Sequence, residues 1–97
     1  MSVSNPSSED ISTRRRRMRY RAWHRGMQEM DIILGNFADA HLDIYDEAAL
    51  TRLETLMDEQ DADLFKWLMG QEPPPETVDG DLLREIIAFQ LSSTKTR

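Results

Sequence analysis

Apolar residues recur along this chain in short blocks at helical spacing, and the gaps between blocks are polar. Met27, Met30, Leu34, Phe37 and His41 repeat at intervals of three and four, the pattern of one buried helix stripe. The spacing predicts a helix over 27–40, with Gly35 a local weakness that also permits close helix packing. Upstream, Met18, Tyr20, Ala22 and Trp23 predict a first helix capped by Ser12 or Thr13. Its aromatics are expected to face inward while the arginines stay in water. Gly26 would end it, although the 4-3-4 spacing of Trp23, Met27, Met30 and Leu34 also permits one helix running straight through.

A turn at 43–45 leads to Asp46, the expected N-cap of a third helix with Glu47 in its first turn and Leu50, Leu53, Leu56 and Met57 as its apolar face. The acidic run 58–63, with Asp61 as cap, introduces a short fourth helix. Leu64, Phe65, Trp67, Leu68 and Met69 supply more apolar surface than one face needs, expected mainly in the core with some left for a partner, and Gly70 is a natural stop. Pro73, Pro74 and Pro75 rule out helix interior and predict an extended loop. Asp79 or Asp81 then caps a last helix carrying Leu82, Leu83, Ile86, Ile87 and Leu91. No strand-like alternation or hairpin dipeptide occurs. The expected fold is all-α, a compact bundle of about five short helices: a disordered tail over 1–11, one domain over 12–91 and a flexible tail over 92–97.

Composition narrows the function. At 97 residues the chain is one small domain, and 39% hydrophobic with 31% charged is ordinary for a soluble fold. With no cysteine there is no disulfide framework, thiolate metal site or thiol nucleophile. No apolar run approaches the ~18 residues of a membrane span, and the N-terminus lacks the apolar core of a secretory signal. Glu9 and Asp10 argue against a mitochondrial presequence. A soluble protein of the bacterial cytoplasm is therefore expected, ahead of the mitochondrial matrix. Residues 1–26 carry seven Arg against Glu9 and Asp10, whereas 27–97 carry five basic and sixteen acidic side chains. The basic segment 14–21, with Tyr20 and Trp23 interleaved, suggests nucleic acid, but the acidic remainder repels phosphates. The run from Asp58 lacks the Gly and Glu that a calcium loop needs, since those places hold Asp63 and Met69. His24 and His41 have no zinc spacing around them. No nucleophile motif or phosphate-cradling loop is present, so no enzyme, bound metal or tightly held cofactor is expected.

One stretch stands out as a docking feature, Arg25-Gly26-Met27-Gln28-Glu29. On a helix Arg25 and Glu29 would share a face, yet an Arg preceding a Glu by four is the less favourable order for an ion pair. Gly26 leaves bare backbone between a cation and an anion. The stretch is odd as stabilisation and sensible as a handle for another protein.

These residues carry a family resemblance. Arg25-Gly26-Met27-Gln28-Glu29, followed by Met30-Asp31, matches the RGxxE signature of the small succinate dehydrogenase assembly factors, of the bacterial SdhE type and their mitochondrial counterparts. About thirty-five residues on, Asp61-Ala62-Asp63-Leu64-Phe65-Lys66-Trp67-Leu68-Met69 is similar to that family's DxDLFxWL stretch, with Ala62 where many members have Pro. The resemblance covers roughly 15–91. It implies a five-helix bundle that acts as a chaperone-like partner of the flavoprotein subunit of succinate dehydrogenase, and of the related fumarate reductase. Its role would be to promote covalent attachment of FAD to the client's own histidine. FAD then belongs to the client; Tyr20, Trp23 and Trp67 could stack on its flavin ring, but no phosphate site accompanies them. The partner-binding residues implied are Arg25, Gly26 and Glu29, with Met27 and Asp31 beside them, on a monomer that binds neither nucleic acid nor membrane. The rival readings are a basic-arm nucleic-acid-associated protein and an adaptor or antitoxin-like module with another client.

Overall fold

In the computed structural model, which describes residues 9–95 and their side chains as far as 92, five helices follow one another. They are α1 (Ile11–Trp23), α2 (Gln28–His41), α3 (Glu47–Met57), α4 (Asp61–Leu68) and α5 (Gly80–Lys95). Among the described residues there is no strand, and no helix is long and apolar enough to cross a membrane. The first eight residues of the tail expected over 1–11 and the last two of that expected over 92–97 lie outside the described residues.

Helix α2 is the centre of the bundle, packing against α1 on one side and α5 on the other, while α3 packs on α1 and α4 on α5. The predicted α2 stripe is the buried one. Met30, Leu34 and Phe37 are fully enclosed, and Ile33, Gly35 and Ala38 widen the apolar band. Leu50, Leu53, Leu56 and Met57 of α3, Leu64, Trp67 and Leu68 of α4, and Leu82, Leu83 and Ile86 of α5 complete one core. Met69 instead lies past the end of α4 and is 46% exposed. At the C-terminal end of α2 the His41 ring stacks on Phe37, and Phe89 of α5 meets both edge-on. His41 Nδ1–H donates to the Phe37 carbonyl at 2.9 Å, so this histidine serves the packing.

The caps explain most of the boundaries. Asp46 accepts from the Ala49 amide and Asp79 from the Leu82 amide, as expected for α3 and α5. Gly70 follows α4 with φ +73°, a left-handed stop. Elsewhere the structure departs from expectation. α1 is capped by Asp10, whose carboxylate accepts from both the amide and the hydroxyl of Ser12, so the helix starts before Ser12 or Thr13. α5 continues beyond Leu91 to Lys95. α4 begins after Gln60 with no side-chain cap, because the Asp61 carboxylate is engaged elsewhere.

The largest difference is α1. Its buried face is Met18 and Ala22; Tyr20 is 65% exposed and stacks on His24, and Trp23 lies half-buried against Gly35. Arg16 stays exposed as expected, but the other arginines of α1 are not left to water. Arg14 reaches Glu47, Glu54 and Thr51, Arg17 reaches Glu9 and Glu54, Arg19 reaches Asp39 and Asp43, and Arg21 reaches Asp58. Arg15 donates to the Leu42 and Tyr45 carbonyls just past the end of α2, where orphan carbonyls and the helix dipole favour a cation. A helix with only a narrow apolar stripe is thus held on by charge as well as by burial. Glu54 sits at the centre of this network. Burial alone would raise its carboxyl, but hydrogen bonds from Arg17 and Arg14 outweigh that and hold it below the ordinary glutamate value.

Candidate functional site: the turn between α1 and α2

Gly26 decides the shape of the turn. α1 ends at Trp23, α2 does not begin until Gln28, and Gly26 between them has φ +100°, a region that side chains disfavour. The reading with one continuous helix is excluded, and with it the shared helical face for Arg25 and Glu29. A Cβ built on Gly26 would meet nothing within 4 Å. The glycine is therefore required by backbone conformation, and its surface faces open space.

Arg25 turns inward. Its side chain is only 9% exposed. Nε donates to Asp61 at 2.8 Å, Nη1 to the Met57 carbonyl at 2.6 Å and Nη2 to the Glu59 carbonyl at 3.1 Å. Its backbone N–H donates to the Asp31 carboxylate at 2.5 Å. Arg25 as an outward-pointing cation for a partner is thus corrected, since all three of its guanidinium nitrogens are engaged within the chain. Asp31, expected beside the handle, is half-buried and spends its carboxylate on the turn. Met27, the N-cap residue of α2, packs partly against the core.

Gly26 and Glu29 remain outside. Glu29 lies in the first turn of α2, where a carboxylate suits the positive end of the helix dipole, and among the described residues it has no hydrogen-bond or ion-pair partner. The site is a rigidly seated turn that shows bare backbone next to an uncompensated anion. Beside it runs an open cleft of about 340 Å³ lined by Tyr20 and Arg21 of α1, by His24 and Arg25 of the turn, and by the α3–α4 junction 57–61. Of the aromatics that could stack on a flavin, Trp67 is buried and Trp23 lies on Gly35 with Nε1–H donating to Asp39, which leaves Tyr20 exposed. Among the described residues no group of three metal-ligating side chains is assembled.

Asp61 is the site residue that pattern reading assigned elsewhere, as a helix cap. The one signal was that Arg25 and Asp61 each open one of the two stretches carrying the resemblance. The second stretch proves to be the ground on which the first stands, because Leu64, Trp67 and Leu68 anchor α4 in the core and hold Asp61 against Arg25.

The chain is similar to known proteins over most of its length. Residues 16–90 match a family described as the flavinator of succinate dehydrogenase. The chain is 36% identical over 86 residues to the FAD assembly factor SdhE of Acetobacter pasteurianus, covering 89% of this chain and 79% of that protein. It is 37% identical over 65 residues to the mitochondrial succinate dehydrogenase assembly factor 2 of Arabidopsis thaliana, and 35% identical over 72 residues to that of Schizosaccharomyces pombe. These alignments cover 67% and 74% of this chain but only 35% and 52% of those two mitochondrial proteins. A match that runs from the arginines of α1 into α5 and takes in both stretches shows that this chain belongs to the succinate dehydrogenase flavinator family.

Proposed function

We propose that this chain binds the immature flavoprotein subunit of succinate dehydrogenase, and in bacteria that of fumarate reductase, and promotes covalent attachment of FAD there. The observation that carries the reading is the pairing of an open Gly26 backbone with an unpartnered Glu29 carboxylate inside the stretch that the family match includes. The client's backbone closes on Gly26, and Glu29 accepts hydrogen bonds from client donors. Binding biases the flavoprotein toward a state in which flavin and histidine are aligned, by no more than the difference in affinity between the two client states. The chain supplies no catalytic group. FAD stays with the client, and the factor acts as a monomer in the bacterial cytoplasm, a reading supported by its similarity to a bacterial factor.

Against a nucleic-acid role for the 14–21 segment stand the α1 contacts, which leave Arg16 as the exposed arginine without a partner among the described residues. Arg14, Arg15, Arg17, Arg19 and Arg21 are all engaged with carboxylates or carbonyls of the same chain. The test is Glu29→Ala in cells lacking the endogenous factor, with covalent flavin read as fluorescence of the acid-denatured flavoprotein. Loss of a charged hydrogen bond predicts client affinity down about tenfold or more, with the helical signal unchanged. Wild-type flavinylation by Glu29→Ala, or recovery of some other protein in place of the flavoprotein, would overturn the assignment.

A further inference from the structure

We infer that Arg25, Asp31 and Asp61 form a lock that sets the client-facing turn, so that Arg25 is a positioning residue acting through Gly26 and Glu29, and Asp61 belongs to the same unit. The consequence for the client rests on the assembly-factor reading above; the lock itself rests on geometry.

One guanidinium joins two helix ends of opposite polarity. The Met57 carbonyl is the last of α3, where orphan carbonyls attract a cation, and Nη1 donates to it at 2.6 Å. Asp61 is the first residue of α4, where a carboxylate is favoured, and it receives Nε at 2.8 Å. Nη2 closes the loop between them at the Glu59 carbonyl. Lysine, a point charge without the planar fork, cannot span three such acceptors. The same residue's backbone N–H is held by Asp31 in the first turn of α2, so both ends of Arg25 are fixed before the chain reverses at Gly26. No buried apolar side chain lies in residues 23–29, and polar contacts with the half-buried Met27 hold the turn in place. A client carboxylate aimed at Arg25 would have to break these bonds at a side chain 9% exposed.

The experiment uses the full chain and its flavoprotein client, with Asp61→Ala, Arg25→Ala, Arg25→Lys, Asp61→Asn and Glu29→Ala. Amide exchange of Arg25, whose N–H donates to Asp31, should quicken at least about tenfold in Asp61→Ala while α5 amides keep wild-type rates, the mark of local opening rather than global destabilisation. Client affinity should fall about tenfold in Asp61→Ala and in Arg25→Ala. Asp61→Asn keeps an acceptor and should recover most of the loss, whereas Arg25→Lys should not. In the Glu29→Ala background, Arg25→Ala should cost little more, because the two act on one contact. Unchanged exchange at Arg25 in Asp61→Ala overturns the lock. Full additivity of Arg25→Ala with Glu29→Ala overturns the positioning role in favour of direct contact. If Glu29→Ala alone binds the client like wild type, the client-face reading fails, and the exchange measurement still decides the lock.

Discussion

Replacing Gly35 by alanine sets two well-understood effects against each other, and the structure says which wins. Gly35 lies inside α2, where Ala is preferred over Gly by about 1 kcal/mol. Pattern alone therefore predicts stabilisation. In the fold, however, a Cβ at this position would overlap the indole of Trp23, against Cδ2, Cε2 and Cε3 of the ring. Those atoms belong to a rigid double ring, not to the loose end of a flexible chain. The ring must move, and its Nε1–H bond to Asp39, 3.3 Å to each oxygen, moves with it. Overpacking costs typically about 1–3 kcal/mol, and overlap with three atoms of a rigid ring puts this case in the upper half of that range, about 2–3 kcal/mol, more than the propensity gain. We expect a net loss of about 1–2 kcal/mol, which for a domain of this size lowers the melting temperature by about 4–16 °C. Urea denaturation followed by tryptophan fluorescence measures it directly. The sharper check is the background: with Trp23→Ala the obstacle is gone, and Gly35→Ala should turn stabilising by about 1 kcal/mol. A Gly35→Ala protein as stable as wild type, or the same sign of effect in both backgrounds, would refute the packing argument.

The other expectations follow from charge and capping. Glu54 and Asp79 are held below their ordinary values, Glu54 by Arg17 and Arg14 against its burial and Asp79 first by the hydrogen bond from Arg52. A carboxylate depressed on folding stabilises the native state above its unfolded pKa and loses that contribution as pH falls through the folded value, so stability should drop progressively as pH falls through and below the ordinary carboxylate range. Glu54→Gln should flatten this acid limb; an unaltered limb in denaturation series at stepped pH would show that the α1–α3 network does not matter. Asp79→Ala removes the acceptor for the Leu82 amide at the start of α5 and should cost about 0.5–2 kcal/mol, read as a fall in the thermal midpoint with little change in the overall helical signal.

Which parts of this molecule could be read in advance depends on the distance over which each feature is decided. The α2 stripe, the Asp46 and Asp79 caps and the proline loop are local facts, written in spacing and in backbone chemistry within a turn or two. They came through with the five-helix fold. The seating of α1 is different. Its apolar spacing is thin, and the sense of Tyr20 and Trp23 is fixed by what stands opposite: Gly35 offers a flat bed to the indole, while Tyr20 stacks on His24 at the surface and stays exposed. Likewise the arginines read as a wet, basic face until Glu47, Glu54 and Asp58 on and just past α3 are brought against them. Pairings across 33 to 40 residues leave no periodic trace in one sequence.

The handle shows why a motif should be divided by what each side chain touches. Five consecutive residues looked like one contact surface, with a cation and an anion to either side of bare backbone. The fold gives the members opposite tasks. Arg25 faces the interior and ties the turn to α3 and α4, Gly26 takes the φ no other residue holds cheaply, and Glu29 alone keeps an unpaired charge outward. This division follows from size. A chain of 97 residues has too few apolar side chains to bury every loop, so a turn that must keep its shape away from the core is fixed by charge-assisted bonds to helix ends. Loss of Arg25 and loss of Glu29 should then share a functional outcome while differing in stability, since the first leaves Asp61 and two carbonyls without their donor and the second leaves nothing inside the protein unpaired.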